Sequence, residues 1–168
     1  NLKRPGAKGV KDSSLVRKKL LAPNHGDYKD WLSEKLLPNT RLVIEPKIDG
    51  FAIALNYNQG NLNSFTTKEG FEKYSQLSSV ANIPKQIPVI RNVRIRGVIF
   101  ASGYLGSQAR KIVYEHLMKE SFNRIGLQFV GFQIFHVDLN QFSQLQELKK
   151  LGFEIPPFEY THFRTSEV

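Results

Sequence analysis

The amino-acid sequence predicts an α+β domain built on an antiparallel sheet with peripheral helices. The stretch 41–57 has the period of two that is typical of half-buried strands, and two further stretches, 62–67 and 93–101, are predicted as strands. The turn residues 58–60 stand between the first two stretches and predict a hairpin. Helical segments are inserted among the strands, and hairpin-paired strands with inserted helices are typical of an antiparallel sheet rather than a parallel one.

The remaining elements are predicted from spacing and from turn-forming residues. In chain order they are a short helix over 28–36 capped by Asp27, two strands or one bent strand over 41–57, a loop with one helical turn over 68–88, a helix over 105–120, an aromatic strand over 127–137 and a helix over 140–151. Ser143 and Gln146 predict a capping box for the last helix, and Gly152 suits the left-handed residue that ends it.

Composition excludes several classes of protein. The chain has 168 residues and no Cys, so it has neither a disulfide framework nor a cysteine-type zinc site. Its apolar runs are too short for a membrane-spanning helix, which makes a cytoplasmic protein the default expectation. The four His residues have no second ligand at metal spacing, so we expect no metal-binding residues.

The positive charge is concentrated at the amino-terminal end. Residues 1–20 hold seven of the 24 Lys and Arg residues but one of the 15 Asp and Glu residues. Two interpretations have similar weight: a solubilising arm, or an arm that contacts the phosphates of a nucleic acid.

One segment carries the residue types of a reactive site. Glu45, Lys47 and Asp49 alternate along the chain and would leave the same face of an extended backbone. The ordinary interpretation is a surface ion-pair ladder. Gly50 favours a ligand site instead, because a glycine permits close backbone approach, and the small Ala52 continues that face.

The stretch 45–53 resembles the nucleotidyl-lysine motif, Lys-x-Asp-Gly, of the adenylation domain of bacterial NAD-dependent DNA ligases. Other landmarks resemble that family in the same order. They are the turn 57–60, Thr67-Lys68, Ile83-Pro84, Arg94-Ile95-Arg96-Gly97, the aromatic stretch 127–133 and the helix ending at 148–153.

The resemblance implies a nucleotidyltransferase fold and a nucleotidyltransferase reaction. Lys47 would take AMP from NAD, with Mg²⁺ as cofactor, and pass it to a 5′-phosphate in nicked double-stranded DNA. It implies catalytic roles for Lys47 and Asp49. The cofactor-binding residues that it implies are Glu45 at the adenine amino group, Gly50, Lys68 at a phosphate, Arg96, and Phe132 stacked on the base.

Departures from the family pattern keep a second function open. Val98 stands where the third motif has a glutamate, and Lys68-Glu69-Gly70-Phe71 shortens a glycine-rich stretch. The chain also lacks the family's later lysine motifs, so a second subunit or segment would have to supply them. We therefore predict a basic arm with a short helix over 1–41 and a nucleotidyltransferase core over 42–168, incomplete at its carboxy-terminal end. The alternative is a catalytically impaired nucleotide-binding or DNA-binding relative.

Overall fold

The computed structural model describes residues 36–70, 75–118 and 126–162. The predicted helix over 28–36 falls almost wholly outside these residues, as does the basic arm. No helix among the described residues has the length and apolar character needed to cross a membrane.

The described residues form six strands and two α-helices, and they confirm the mixed α and β composition with antiparallel pairing. The strands are β1 (Arg41–Ile44), β2 (Phe51–Asn58), β3 (Asn61–Thr67), β4 (Val93–Ala101), β5 (Leu127–Ile134) and β6 (Glu159–His162); the helices are α1 (Gly106–Met118) and α2 (Gln141–Lys150). A 3-10 turn, Ser75–Ser79, lies in the part of the predicted loop that the structure describes.

The chain divides into two compact units. The larger contains the described residues from Lys47 to Pro156 and is built on a four-stranded antiparallel sheet in the order β3-β2-β4-β5. The smaller contains β1 and β6, which pair antiparallel from Arg41 opposite His162 to Ile44 opposite Glu159. The division predicted at residue 41 stays a prediction.

The predicted hairpin is confirmed as β2 and β3. Gln59 and Gly60, the two residues between the strands, both have positive φ, 50° and 82°. Two consecutive left-handed residues match the right-handed twist of the strands that they join. A Cβ on Gly60 would lie 2.4 Å from the carbonyl oxygen of Val89, so glycine is required there for space as well.

Both helices pack on the sheet, α1 on β4 and β2 and α2 on β5. The hydrophobic core lies between the sheet and the helices. Side chains alternate between the two faces of a strand, and accordingly every second residue of β4 from Val93 to Ala101 is buried. Each helix contributes its apolar stripe, and the helix residues that are fully buried are Ala109, Val113, Leu117, Leu145 and Leu148.

The free edge of β5 is paired by groups from outside the sheet. The Asn82 side chain makes both bonds that a neighbouring strand would make: Nδ2 donates to the Phe129 carbonyl at 2.8 Å and Oδ1 accepts from the Phe129 N–H at 2.7 Å. Further along, the Gly131 N–H donates to the Glu154 carbonyl at 2.9 Å. These contacts satisfy backbone groups that an edge strand would otherwise leave open.

Helix α2 begins one turn earlier than the predicted capping box at Ser143. Asn140 is its N-cap, because its side chain accepts from the Ser143 N–H at 2.8 Å. The carboxy-terminal end is as predicted, since Gly152 has a φ of 96° just beyond the last turn.

Candidate functional site

Asp49 is anchored by the first residue of α1. Its carboxylate accepts a hydrogen bond from the Gly106 N–H at 2.9 Å through Oδ2. The amino-terminal N–H groups of a helix have no intrahelical acceptor, and the helix dipole favours negative charge there. The contact joins residues 57 positions apart and fixes the segment that leads into β2 against α1.

Lys47 lies beside Asp49 but is open to solvent. Its Nζ is 3.5 Å from Asp49 Oδ1, and its side chain is 77% exposed against 24% for Asp49. The two oxygens of the Asp49 carboxylate therefore meet different groups: Oδ2 accepts from the backbone N–H of Gly106, and Oδ1 lies near the solvent-exposed ammonium group of Lys47. An exposed pair of this kind contributes about 0–1 kcal/mol to stability.

Gly50 makes a close approach, but to the protein's own backbone. A Cβ at this position would lie 2.2 Å from the Ile99 carbonyl oxygen and 2.7 Å from a Val98 methyl group. The role predicted for this glycine from the sequence, close backbone approach to a ligand, stays a prediction; the approach that the structure shows is to β4. A side chain at this position would collide with β4, which pairs with β2 from Phe51 opposite Ile99.

Arg96 and Val98 lie on one face of the sheet, as strand alternation predicts. Arg96 pairs with Ala54, and Val98 lies between Ala52 on β2 and Val130 on β5. Val98 is half-buried. Its cross-strand neighbours are both apolar, so a carboxylate at this position would be flanked by methyl groups.

Two further predicted residues lie in different surroundings. Lys68 is exposed in the turn after β3, at the same end of the sheet as Gly50, because the preceding Thr67 pairs with Ile53 near the start of β2. Phe132 is 6% exposed. Gly131 pairs with Gly97 and Gln133 with Arg96, so Phe132 is the extra residue of a β-bulge, and little of its ring is open to a base.

Glu45, the remaining predicted residue, follows β1 in the smaller unit, whereas Lys47 begins the larger one. The structure therefore brings Lys47, Asp49, Gly50 and Lys68 to one end of the sheet. The predicted roles of all seven residues stay predictions. Among the described residues no group of three or more His, Asp or Glu side chains could hold a metal ion.

Sequence reasoning missed the Gly106 N–H and a polar cluster on the sheet. In that cluster Asn56 Nδ2 donates to Ser64 Oγ at 3.1 Å, and Arg94 Nη2 donates to Thr66 Oγ1 at 3.1 Å. Alternation places these residues on one face, which was a signal available from the sequence. Their cross-strand register was not.

Comparison with known families gives a match over about half of the chain. Residues 24–104 match the family described as the NAD-dependent DNA ligase adenylation domain. This stretch contains the Lys47 segment, the β2–β3 hairpin and β4.

Individual relatives match the same region. The chain is 34% identical over 87 residues to a protein named DNA ligase from Mycoplasmopsis agalactiae, an alignment that covers 47% of this chain and 13% of the relative. It is 34% identical over 85 residues to the DNA ligase of Helicobacter pylori strain J99, with 47% and 13% covered. It is 41% identical over 64 residues to that of Mycoplasma pneumoniae, with 36% and 10% covered. The matched region is thus a small part of each relative.

Proposed function

We propose, from the premise that residues 24–104 are related to the adenylation domain of NAD-dependent DNA ligases, that Lys47 of this chain accepts AMP from NAD. The intermediate would be lysyl-AMP, and the AMP would then activate a 5′-phosphate at a nick in double-stranded DNA. A nucleotidyltransferase fold for residues 42–168, a role in nick sealing and a cytoplasmic location belong to the same proposal.

The observation that carries the proposal is the setting of Lys47. An acceptor lysine has to be reachable by a large nucleotide, and the Lys47 side chain is 77% exposed at the end of the sheet. Its backbone is held nearby, because Asp49 two residues later is bonded to Gly106 of α1. A reactive group on an anchored segment loses less entropy when it is aligned with its substrate.

The chemistry requires a neutral amine. The Lys47 nitrogen forms a bond to the α-phosphorus, the bond from that phosphorus to the bridging oxygen breaks, nicotinamide mononucleotide leaves and the amine gives up a proton. Because Lys47 is paired with a carboxylate in the structure, this contact has to open before the attack. Lys68, exposed at the same end of the sheet, is a further cation that could contact the phosphates.

Mg²⁺ fits this site only as a partner of the substrate phosphates. Asp49 is the one predicted carboxylate at the described site in the larger unit, and it already accepts from the Gly106 N–H. A divalent ion bound mainly through phosphate oxygens would screen their charge.

The test is the intact mass of the full chain after incubation with Mg²⁺ and either NAD or ATP. We expect one added AMP with NAD, none with Lys47→Ala, and an undiminished adduct with Lys149→Ala, a matched change at an exposed lysine in the last turn of α2. An adduct that survives in Lys47→Ala contradicts the assignment, and an adduct with ATP alone contradicts the donor. A second arm of the mass experiment adds, as a separate polypeptide, the part of the Mycoplasmopsis agalactiae ligase that follows its matched stretch. This polypeptide is meant to supply the family's later lysine motifs.

The alternative function is a nucleotide-binding or DNA-binding relative that does not form the adduct. Val98 favours it, because a valine between Ala52 and Val130 stands where the family motif has a carboxylate. Binding of NAD or of nicked DNA without any adduct, in both arms of the mass experiment, would support this alternative over the transferase.

A further inference from the structure

A polar cleft lies at the end of the sheet opposite Lys47. It has a volume of about 380 Å³ and is formed where β2 and β5 end and β4 begins. Its lining includes Asn56, Asn58, Asn63, Arg91, Arg94 and His136. Strand β2 runs from the Lys47 segment to the far rim of the cleft at Asn58, a distance of roughly 23 Å from Phe51 at the usual rise of about 3.3 Å per residue. The cleft is therefore a different site from the one around Lys47.

Arg94 is held in a fixed position in the cleft. Its Nη2 donates to Thr66 Oγ1 at 3.1 Å, and its guanidinium carbon lies 4.8 Å from the centre of the Phe135 ring. Asn56 Nδ2 donates to Thr66 Oγ1 as well, at 3.3 Å. Burial lowers the pKa of Arg94, although a guanidinium remains charged at neutral pH. This partly desolvated cation gains more from an incoming anion than a fully hydrated one does.

The charge and shape of the cleft indicate the kind of ligand. Two arginines and no acid are among the ten described residues that line it. Arg91, Asn58 and His136 on its rim are exposed, so the cleft is open. A pocket for a small molecule buries most of its ligand, whereas an open cleft suits a polymer that passes across it. Arg and Asn side chains are frequent donors to the phosphates of nucleic acids.

We propose that this cleft binds the sugar–phosphate backbone of a DNA strand. The choice of DNA among polyanions rests on the proposed function, whereas the choice of a phosphate backbone rests on the cleft itself. At about 3.4 Å per nucleotide along a strand, a separation of roughly 23 Å corresponds to about seven nucleotides. The cleft would therefore contact backbone phosphates up to about seven base pairs along the duplex axis from a nick placed at Lys47.

The test measures binding of the full chain to a fluorescently labelled nicked duplex by anisotropy over a range of salt concentrations. Arg91→Gln removes an exposed charge from the cleft. Arg110→Gln removes the same charge from an exposed position on α1 and is the matched control. Each phosphate contact contributes about 0.9 to the slope of log affinity against log salt. We expect Arg91→Gln to lower the magnitude of that slope by about 0.9. When the salt concentration is raised from about 50 to 200 mM, the affinity of this variant should therefore fall by a factor about 3.5 times smaller than that of the unaltered chain.

Arg94 gives a second, independent variant. Arg94→Lys keeps the charge but loses the planar contact with Phe135, so the slope should be retained, whereas Arg94→Gln should lower it as Arg91→Gln does. Thermal unfolding of both variants shows whether the sheet remains folded. Equal slopes for the unaltered chain and for a folded Arg91→Gln, or an equal loss in Arg110→Gln, would overturn the proposal.

Two further arms identify the ligand and its register. AMP at millimolar concentration should not displace DNA; displacement from the unaltered chain but not from Arg91→Gln would mean a mononucleotide pocket and overturn the strand assignment. A nicked duplex of the same length, with uncharged methylphosphonate linkages from about four to eight base pairs on either side of the nick, should abolish the effect of Arg91→Gln, because no phosphate charge then lies opposite the cleft. The mass experiment on the unaltered chain runs in parallel. A missing AMP adduct would contradict the proposed function, while a changed salt slope would still support the cleft.

Discussion

Replacing Asp49 by Asn should destabilise the protein through α1 rather than through Lys47. The asparagine retains an oxygen that can accept from the Gly106 N–H, now 2.9 Å from Asp49 Oδ2, but it removes the negative charge. The neighbouring ammonium of Lys47 is 3.5 Å from the other oxygen and largely in water. The two contacts therefore predict that Asp49→Asn lowers the free energy of unfolding more than Lys47→Ala does.

The magnitudes follow from the two settings. An anion at a helix amino terminus contributes about 0.3–1 kcal/mol, and a hydrogen bond to a charged group exceeds a neutral one by roughly 1 kcal/mol. Because Gly106 is exposed, water replaces part of what is lost. We expect Asp49→Asn to lower the free energy of unfolding by about 0.5–1.5 kcal/mol. Lys47→Ala breaks only an exposed ion pair and should cost less than about 0.5 kcal/mol.

Urea unfolding followed by circular dichroism distinguishes these costs. With a urea dependence of roughly 2 kcal/mol per molar, a loss of 1 kcal/mol lowers the midpoint by about 0.5 M. The double variant completes a thermodynamic cycle that isolates the Lys47–Asp49 coupling. The reasoning is refuted if Lys47→Ala costs as much as Asp49→Asn and the coupling accounts for the whole loss, because the ion pair would then be the stabilising contact.

Three further outcomes are expected. Gly97→Ala should lower the free energy of unfolding by about 3 kcal/mol or more, because the added Cβ would lie 2.2 Å from the buried Phe129 ring. Gly126→Ala is the control: a Cβ there would meet no atom within 4 Å, so the same urea measurement should show almost no change. Asn82→Ala should lower the free energy of unfolding by about 2–3 kcal/mol, because it removes the side chain that bonds the N–H and the carbonyl of Phe129. The Phe129 amide should then exchange its hydrogen faster than in the unaltered chain. Val98→Glu should speed lysyl-AMP formation by about tenfold or more, as measured by mass against time, and Val98→Gln is its uncharged control.

Local patterns predicted the strands whose partners are close in sequence or whose residues are largely apolar. β4 runs from Val93 to Ala101 as predicted, because its apolar residues alternate with arginines at its start and form a continuous run over 98–101. β6 was missed, since its partner β1 lies more than a hundred residues away and none of its four residues is buried. The bulge at Phe132 was also invisible, because it is a property of the pairing between two strands and not of either one.

In the candidate site, too, the sequence shows local features but not the contacts between distant residues. Lys47 and Asp49 are two positions apart in the sequence and belong to one motif, so sequence alone could single them out. The Gly106 N–H that holds Asp49 comes 57 residues later and has no side chain to mark it. The polar cleft joins the ends of three strands, and only their register brings Arg94 beside Phe135.

The fold itself explains most of the motif, and this makes Lys47 the informative residue. Gly50 is required by the Ile99 carbonyl and Gly97 by the Phe129 ring, and Asp49 stabilises the start of α1, so all three residues have a structural role without any enzymatic one. Lys47 has no comparable structural reason. Its side chain is 77% exposed and its one described ion pair contributes little to stability. A lysine that the fold does not need, on a segment that the fold fixes firmly, is what a nucleotidyl acceptor requires. If Lys47→Ala leaves the free energy of unfolding unchanged and abolishes the AMP adduct, the acceptor role accounts for a residue that folding does not.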